Sequence, residues 1–197
     1  MIKFCTKFVS KYLTINKYIM KKTVLMSVMF LLTLLFSCAS QPYVDQKTFD
    51  ELTSSNQFTF MAKRANPTNF DVINVMNSLP NANSARMLDL DYGYTVVIKE
   101  KELEVNLPYF GRLFNPSYDT SKNSYNFTSK DFTLSKVQNK KGNWVYTISP
   151  KDVSNIRVVY IEVFKNGNAY VSIDSNDRQA ISYDGYIMRN EIKKETK

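Results

Sequence analysis

The sequence contains no histidine and only two cysteines, Cys5 and Cys38. Without histidine, Ser-His and Cys-His nucleophile pairs are excluded, and so is metal or haem ligation through imidazole. Cys5 falls in a segment read below as a removable leader and Cys38 at its cleavage point, which leaves the mature chain no free thiol and no disulfide. What survives of catalytic chemistry is a carboxylate pair of glycosidase type, a Lys or Tyr base, or calcium held by oxygen ligands. The chain also lacks a membrane-spanning run. Its longest apolar stretch, residues 24–36, has 13 positions, where a span needs about 20.

That stretch has a different use. Lys21 and Lys22 precede it, and Ser37, a small residue, separates it from Cys38. A basic head, an apolar middle and a small residue at the exit make a secretion signal. With a cysteine at the cleavage point the segment resembles a bacterial lipoprotein signal, in which Cys38 is acylated and becomes the first mature residue. Several acyl chains on one cysteine give stable membrane anchoring, whereas one alone is marginal. The leader is taken as residues 1–37, with Met20-Lys21-Lys22-Thr23 a more compact start than Met1, and 38–42 as a lipidated tether. No aspartate follows Cys38 directly and no acidic cluster follows the tether. By resemblance to lipoprotein sorting rules, the expected place is the outer membrane, facing the periplasm.

Removing the leader changes the charge. The chain carries 26 Lys and Arg against 18 Asp and Glu. Six of the lysines and none of the acids lie in the leader, so the mature balance is 20 against 18, about +2. The basic pI is a targeting device, and nucleic acid is rejected as a partner.

The mature chain reads as one β domain over residues 43–190 with a charged tail at 191–197. Val44, Thr48, Phe49 and Leu52 at helical spacing predict a short helix that Ser54-Ser55-Asn56 stops, packed against the sheet. From Phe58 the period changes to two. Asn66-Pro67 breaks the first strand, and residues 68–79 form either a second short helix or an irregular crossing. Tyr94, Val96 and Ile98, then Leu103, Val105, Leu107 and Tyr109, make a hairpin tipped by Lys99-Glu100-Lys101-Glu102. Phe132 and Leu134 lead to a turn at 140–143, from which Trp144, Tyr146 and Ile148 return. A last strand spans about 180–188. Eight or nine antiparallel strands suit a β-barrel, whose interior fills with side chains or holds one small ligand; a two-sheet sandwich is the alternative. Asp89-Leu90-Asp91-Tyr92-Gly93 opens like a calcium loop, but its glycine comes one place early, so it reads as a turn, as does Asp174-Ser175-Asn176-Asp177. No metal, cofactor or catalytic dyad is assigned.

Asn166-Gly167 predicts a two-residue type I′ turn, in which both central residues take positive φ. That register sets Phe164 opposite Ala169, Glu162 opposite Val171 and Tyr160 opposite Ile173. If this face is the interior, Glu162 points inward and needs a cationic partner, for which Arg112 and Arg178 are candidates. If Val159, Ile161 and Val163 form the interior, Glu162 points out.

Leu107-Pro108-Tyr109-Phe110-Gly111-Arg112, Phe164-Lys165-Asn166-Gly167-Asn168-Ala169 and residues 176–187, from Asn176-Asp177-Arg178-Gln179 to Asp184-Gly185-Tyr186-Ile187, occur together. In this combination residues 49–187 resemble the Bacteroidetes lipoprotein family known as domain of unknown function 4251. The chain departs from its pattern by Asp177 before Arg178 and by Leu113-Phe114 after Arg112. The resemblance implies a lipid-anchored envelope protein with a lipocalin-class barrel and implies no activity. As a ligand site, Tyr109, Phe110, Arg112, Glu162 and Arg178 offer aromatic faces, cations and an anchor for a sugar or acidic ligand. As structure, Pro108 ends a strand and Gly111 turns it.

The functional expectation is a non-enzymatic, lipid-anchored envelope protein that binds a small apolar or glycan-like ligand in its barrel. The alternative is an outer-membrane protein-interaction or scaffold module with a filled core, and the third reading is a carboxylate-dependent hydrolase. Packing separates the first two.

Overall fold

The computed structural model describes residues 21–23, 26–27, 29, 43–78, 84–115 and 123–191. The chain divides into two compact units, Met1–Gln41 and Pro42–Lys197. The described residues of the first are helical, and Cys38 lies outside the described residues. Among the described residues no helix is long and apolar enough to cross a membrane.

In the second unit Asp45 opens helix α1 (Gln46–Ser55) by accepting from the Thr48 N–H at 3.1 Å. Asn56 ends it in the left-handed conformation, with φ 55°, a backbone state that asparagine tolerates better than most residues. The helix therefore starts two residues later than the apolar spacing suggests, because Asp45 is the better cap. Phe49 and Leu52 are buried.

Strand β1 (Phe58–Pro67) continues through Asn66 to Pro67 after a bulge between Ala62 and Arg64. Pro67 is accommodated because it is the last residue of the strand. Helix α2 (Phe70–Ser78) and the turn α3 (Ser84–Met87) follow. Then come β2 (Thr95–Ile98), β3 (Leu103–Leu107), β4 (Tyr125–Ser129), β5 (Phe132–Gln138), β6 (Trp144–Pro150), β7 (Ile156–Val163), β8 (Asn168–Ser175) and β9 (Ile181–Met188). The Asp89 stretch is a turn, with Gly93 at φ 116° and Asp89 bridged to Arg64 of β1.

The nine strands form one antiparallel sheet in the order β4-β3-β2-β1-β9-β8-β7-β6-β5. Eight antiparallel pairings separate the two edges, an even number, so β4 and β5 point the same way. Only Lys130 and Asp131 join them. A side-by-side parallel connection needs a dozen or more residues, so β4 and β5 run end to end as one bent strand. The sheet must curl until its opposite edges meet at this joint, which gives the nearly closed barrel. The β6–β7 loop holds the seam. Asp152 accepts from the Ser129 hydroxyl and from the backbone N–H groups of Lys130 (2.7 Å) and Asp131 (3.2 Å). These bonds, led by the one from Ser129, hold its carboxyl below the usual range.

The hairpin register corrects the expected one. The Gly167 N–H bonds the Phe164 carbonyl at 2.9 Å, Phe164 pairs with Asn168, and among the described non-glycine residues only Asn56 has positive φ. The loop thus has three residues, 165–167, with Gly167 alone left-handed at φ 82°, a type I turn closed by a glycine bulge. Val163 pairs with Ala169, Ile161 with Val171 and Val159 with Ile173. A one-residue slip exchanges the two faces of a strand, so Val159, Ile161 and Val163 form the interior and Glu162 faces out.

The interior is packed. Phe58, Phe60, Ile98, Leu103, Ile161 and Ile173 are each 0% exposed, which leaves no water-sized space against any of them. Gly185 lets β9 approach β1 closely, because a Cβ there would lie 2.0 Å from the Met61 carbonyl oxygen.

Candidate functional site

Each end of the barrel is closed by a cation lying over aromatic rings. At the α1 end, strand alternation puts Lys136 on the inward face with Phe132 and Leu134. Its ammonium donates to the Thr53 carbonyl in the last turn of α1 and sits 4.1 Å from the Trp144 ring centroid. The Tyr146 hydroxyl donates to the same carbonyl at 3.3 Å. Together they satisfy a carbonyl that the helix leaves without a partner. Desolvation lowers the pKa of Lys136, and burial pushes the Tyr146 hydroxyl far above the ordinary tyrosine range.

At the opposite end Arg178 is 5% exposed and lies between the rings of Tyr125 (4.8 Å) and Tyr109 (5.2 Å). Its Nη2 bonds Asp177 at 2.8 Å, its Nε the same carboxylate at 3.1 Å and its Nη1 the Asn123 carbonyl at 3.0 Å. Burial raises the Asp177 pKa, but bonds from Arg178 and Asn155 outweigh it and hold the carboxyl below its usual value. Tyr125 and Ser175 share a hydrogen bond at 3.2 Å, and Tyr183 donates to the Pro108 carbonyl at 2.8 Å. Burial pushes the Tyr125 hydroxyl up to about 12.

The stretches around Tyr109 and Arg178, separated by some 70 residues in sequence, are joined here. Leu113 bridges Arg178, and the Gln179 N–H bonds the Arg112 carbonyl at 3.0 Å. The Tyr109 hydroxyl lies within donating distance of the Arg112 and Gln179 carbonyls, at 2.9 and 3.0 Å. Gly111 permits this, since a Cβ there would fall 2.4 Å from the Tyr109 oxygen. Tyr109 and Arg178 therefore help close this end of the barrel.

Phe110 and Arg112 point elsewhere. With Gly111, Asn69 and the α2 residues Val72, Val75 and Met76 they line an open, largely apolar cleft of about 510 Å³ on the outside of this end. Arg112 is exposed, and its guanidinium has no hydrogen-bond or ion-pair partner among the described residues. Glu162 belongs to neither group. Its carboxylate accepts from the side-chain amides of Asn139 and Asn143, both at 2.8 Å, and so fixes the β5–β6 turn at the other end. The expected pairing of Glu162 with Arg112 or Arg178 does not form, because the register slip turns it outward. A second cleft, of about 450 Å³, lies mainly on the outer face of the sheet around Thr59, Met61, Tyr92 and Val97.

Lys136 and the α2 wall of the cleft escaped the sequence reading. Lys136 could have been found, because alternation from Phe132 places it inside. The α2 wall of the cleft carried no signal beyond its apolar spacing, since its partner, Phe110, comes from a loop.

The fold and its surface define a small, side-chain-filled β-barrel with a cleft outside it. The chain belongs to the family described as Domain of unknown function (DUF4251), which matches residues 43–187. It is similar to the crystal structure of a DUF4251 family protein from Bacteroides eggerthii DSM 20697, with 15% identity, 74% of this chain and 89% of that chain covered, and a TM-score of 0.44. No curated protein matches the chain.

Proposed function

We propose that this is a non-enzymatic envelope lipoprotein, anchored in the outer membrane through Cys38 and facing the periplasm, that acts as an interaction module through the outside of its barrel. The observation that carries the choice of module over carrier is the packed interior, in which Phe58, Phe60, Ile98, Leu103, Ile161 and Ile173 are 0% exposed, with a cation over aromatic rings at both ends. A carrier needs a cavity of a few hundred Å³ lined by its binding groups, and the clefts found here lie outside. The anchor rests on the sequence around Cys38, with Lys21, Lys22 and the short apolar run before it. A lipid there would tether the domain through Tyr43, whose N–H bonds the Asn166 carbonyl at 2.9 Å and whose ring stacks on Tyr186 at 4.6 Å. Asn166 lies in the β7–β8 loop, at the α1 end, so the cleft at the opposite end would stay free for a partner.

Native mass spectrometry of the lipoprotein extracted from its own envelope tests both halves. The expected mass is the chain from Cys38 with its acyl groups and no further small molecule, and Cys38→Ala should leave the membrane fraction. A small molecule recurring at one-to-one ratio would overturn the module reading. An unacylated chain from the natural envelope would overturn the anchor.

A further inference from the structure

The cleft beside α2 combines two properties seldom left together on a surface. Val72, Val75, Met76 and Phe110 give it apolar walls, and Val75 is 61% exposed although valine gains by burial. At its rim stands Arg112, whose planar guanidinium has no partner among the described residues. Elsewhere on this molecule the exposed Arg157 is paired with Asp174 at 2.6 Å and the exposed Arg189 with Glu51 at 2.7 Å. A guanidinium matches a carboxylate in a planar, two-bond geometry.

We propose that the cleft takes the C-terminal end of a partner protein, with an aliphatic last side chain against Val72, Val75 and Met76 and the terminal carboxylate on Arg112. This deepens the module reading and rests on it. The charge at the rim and the apolar floor select the occupant together. An apolar side chain alone would leave the guanidinium unanswered, and a carboxylate alone would leave the floor wet. The open shape suits a chain end entering from one side. Arg112 is held for this role from behind, because its carbonyl is fixed by the Gln179 N–H and the Tyr109 hydroxyl. The backbone is thereby rigid while the side chain projects.

The test uses the unit Pro42–Lys197, in which the whole core lies between Phe49 and Ile187. The probes are N-acetyl-Ala-Val-Leu as the free acid, the same peptide as its carboxamide, and N-acetyl-Ala-Gly-Gly free acid, followed by methyl chemical shifts of Val72, Val75 and Met76. The acid Leu peptide is expected to bind about ten-fold tighter than its amide, the worth of one charge-assisted contact at an exposed site. The Gly peptide is expected to bind weakest of the three. Arg112→Met should bring the acid down to the level of the amide without changing the amide, and Arg112→Lys should recover part of the difference. Val75→Asp, at a position exposed enough to tolerate charge, should weaken both Leu peptides. Equal binding of acid and amide, no binding of either, or an acid preference that survives Arg112→Met would each overturn the proposal. None of these results bears on Cys38 or on the packed interior, so the anchor and module readings stand or fall separately.

Discussion

The two ends of the barrel solve the same problem with different cations. Each must stop water from entering a core of side chains, and each does so with a long basic residue laid over two aromatic rings. At the α1 end Lys136 lies over Trp144 and Tyr146 and bonds a helix carbonyl. At the other end Arg178 lies over Tyr109 and Tyr125 and bonds a carboxylate and a carbonyl at once. The difference follows from the donors. A guanidinium has five N–H groups in a fixed plane and stays charged, so it can be buried if a carboxylate neutralises it. An ammonium met only by a carbonyl and two ring faces, with no carboxylate, keeps part of its desolvation cost, and its pKa falls. One end is therefore a structural lock, and the other is a lid whose cation contributes little.

The largest test of this contrast is Arg178→Ala. It leaves the half-buried Asp177 without its counter-charge and strips the Asn123 carbonyl and both rings of a neighbour. Because Asp177 keeps some contact with solvent, the loss should be about 3 kcal/mol, the low end of the cost of breaking a buried pair from one side, read as a lower urea midpoint. Arg178→Lys should recover little, since one ammonium cannot hold Asp177 and Asn123 in the same plane. A loss below about 1 kcal/mol would show that the lock is not a lock.

Next in size is the response to alkali, which the tyrosines of the locked end dominate. Burial raises Tyr125 from 10.0 to about 12, and Tyr183 is raised further still. The unfolded chain then releases its phenolic protons first. Their contribution to stability is complete below pH 10 and is lost as pH climbs toward the folded values. Tyr125 alone accounts for a fall on the order of 2 kcal/mol by pH 12. Tyr125→Phe should flatten this part of the stability profile, and an unchanged slope would contradict the assignment.

A smaller effect is expected at the lid. Tyr146→Phe removes one of two donors to the Thr53 carbonyl and leaves Lys136 in place. The loss of one such bond is about 1 kcal/mol, measured by chemical denaturation.

How far these features could be read beforehand depends on the range of the contact that makes them. Strand periodicity gave an antiparallel β fold, barrel or two-sheet sandwich, together with the β2–β3 hairpin and the return from Trp144 to Ile148. The Asn-Gly pair marked the β7–β8 turn but not its length. Type I′ and the three-residue bulged loop both place glycine at 167, and the choice between them flips Glu162. β4, only five residues long, went unrecognised, and with it the bent β4–β5 strand that closes the sheet. Arg178 and Tyr109 were both picked out, with a ligand role and a structural role left open, but not as partners of each other. Their mutual burial depends on Leu113 pairing with Arg178 across some 65 residues, a contact that no local pattern encodes.

The smallest effect is the most discriminating. Lys136→Met removes the bond to Thr53 and the contact with Trp144, both favourable, and also a charge held away from water, which is not. These offset, so at neutral pH the variant should lie within about 1 kcal/mol of the natural chain. The pH dependence separates the parts. Because the folded pKa of Lys136 is lowered by desolvation, the unfolded chain binds the proton more tightly than the folded one. Stability then rises with pH from the folded value up to the unfolded value near 10.5. The natural chain should gain on Lys136→Met across that interval, below the range where the tyrosines take effect at full strength. Trp144, the one tryptophan of the chain, reports the same titration through its emission, since the ammonium sits over its ring. A stability difference that stays flat while Trp144 still titrates would mean that the lysine leaves its place under α1 when it loses its charge. A flat difference with silent emission would mean that the ammonium carries no desolvation cost, and the contrast between the two ends would collapse.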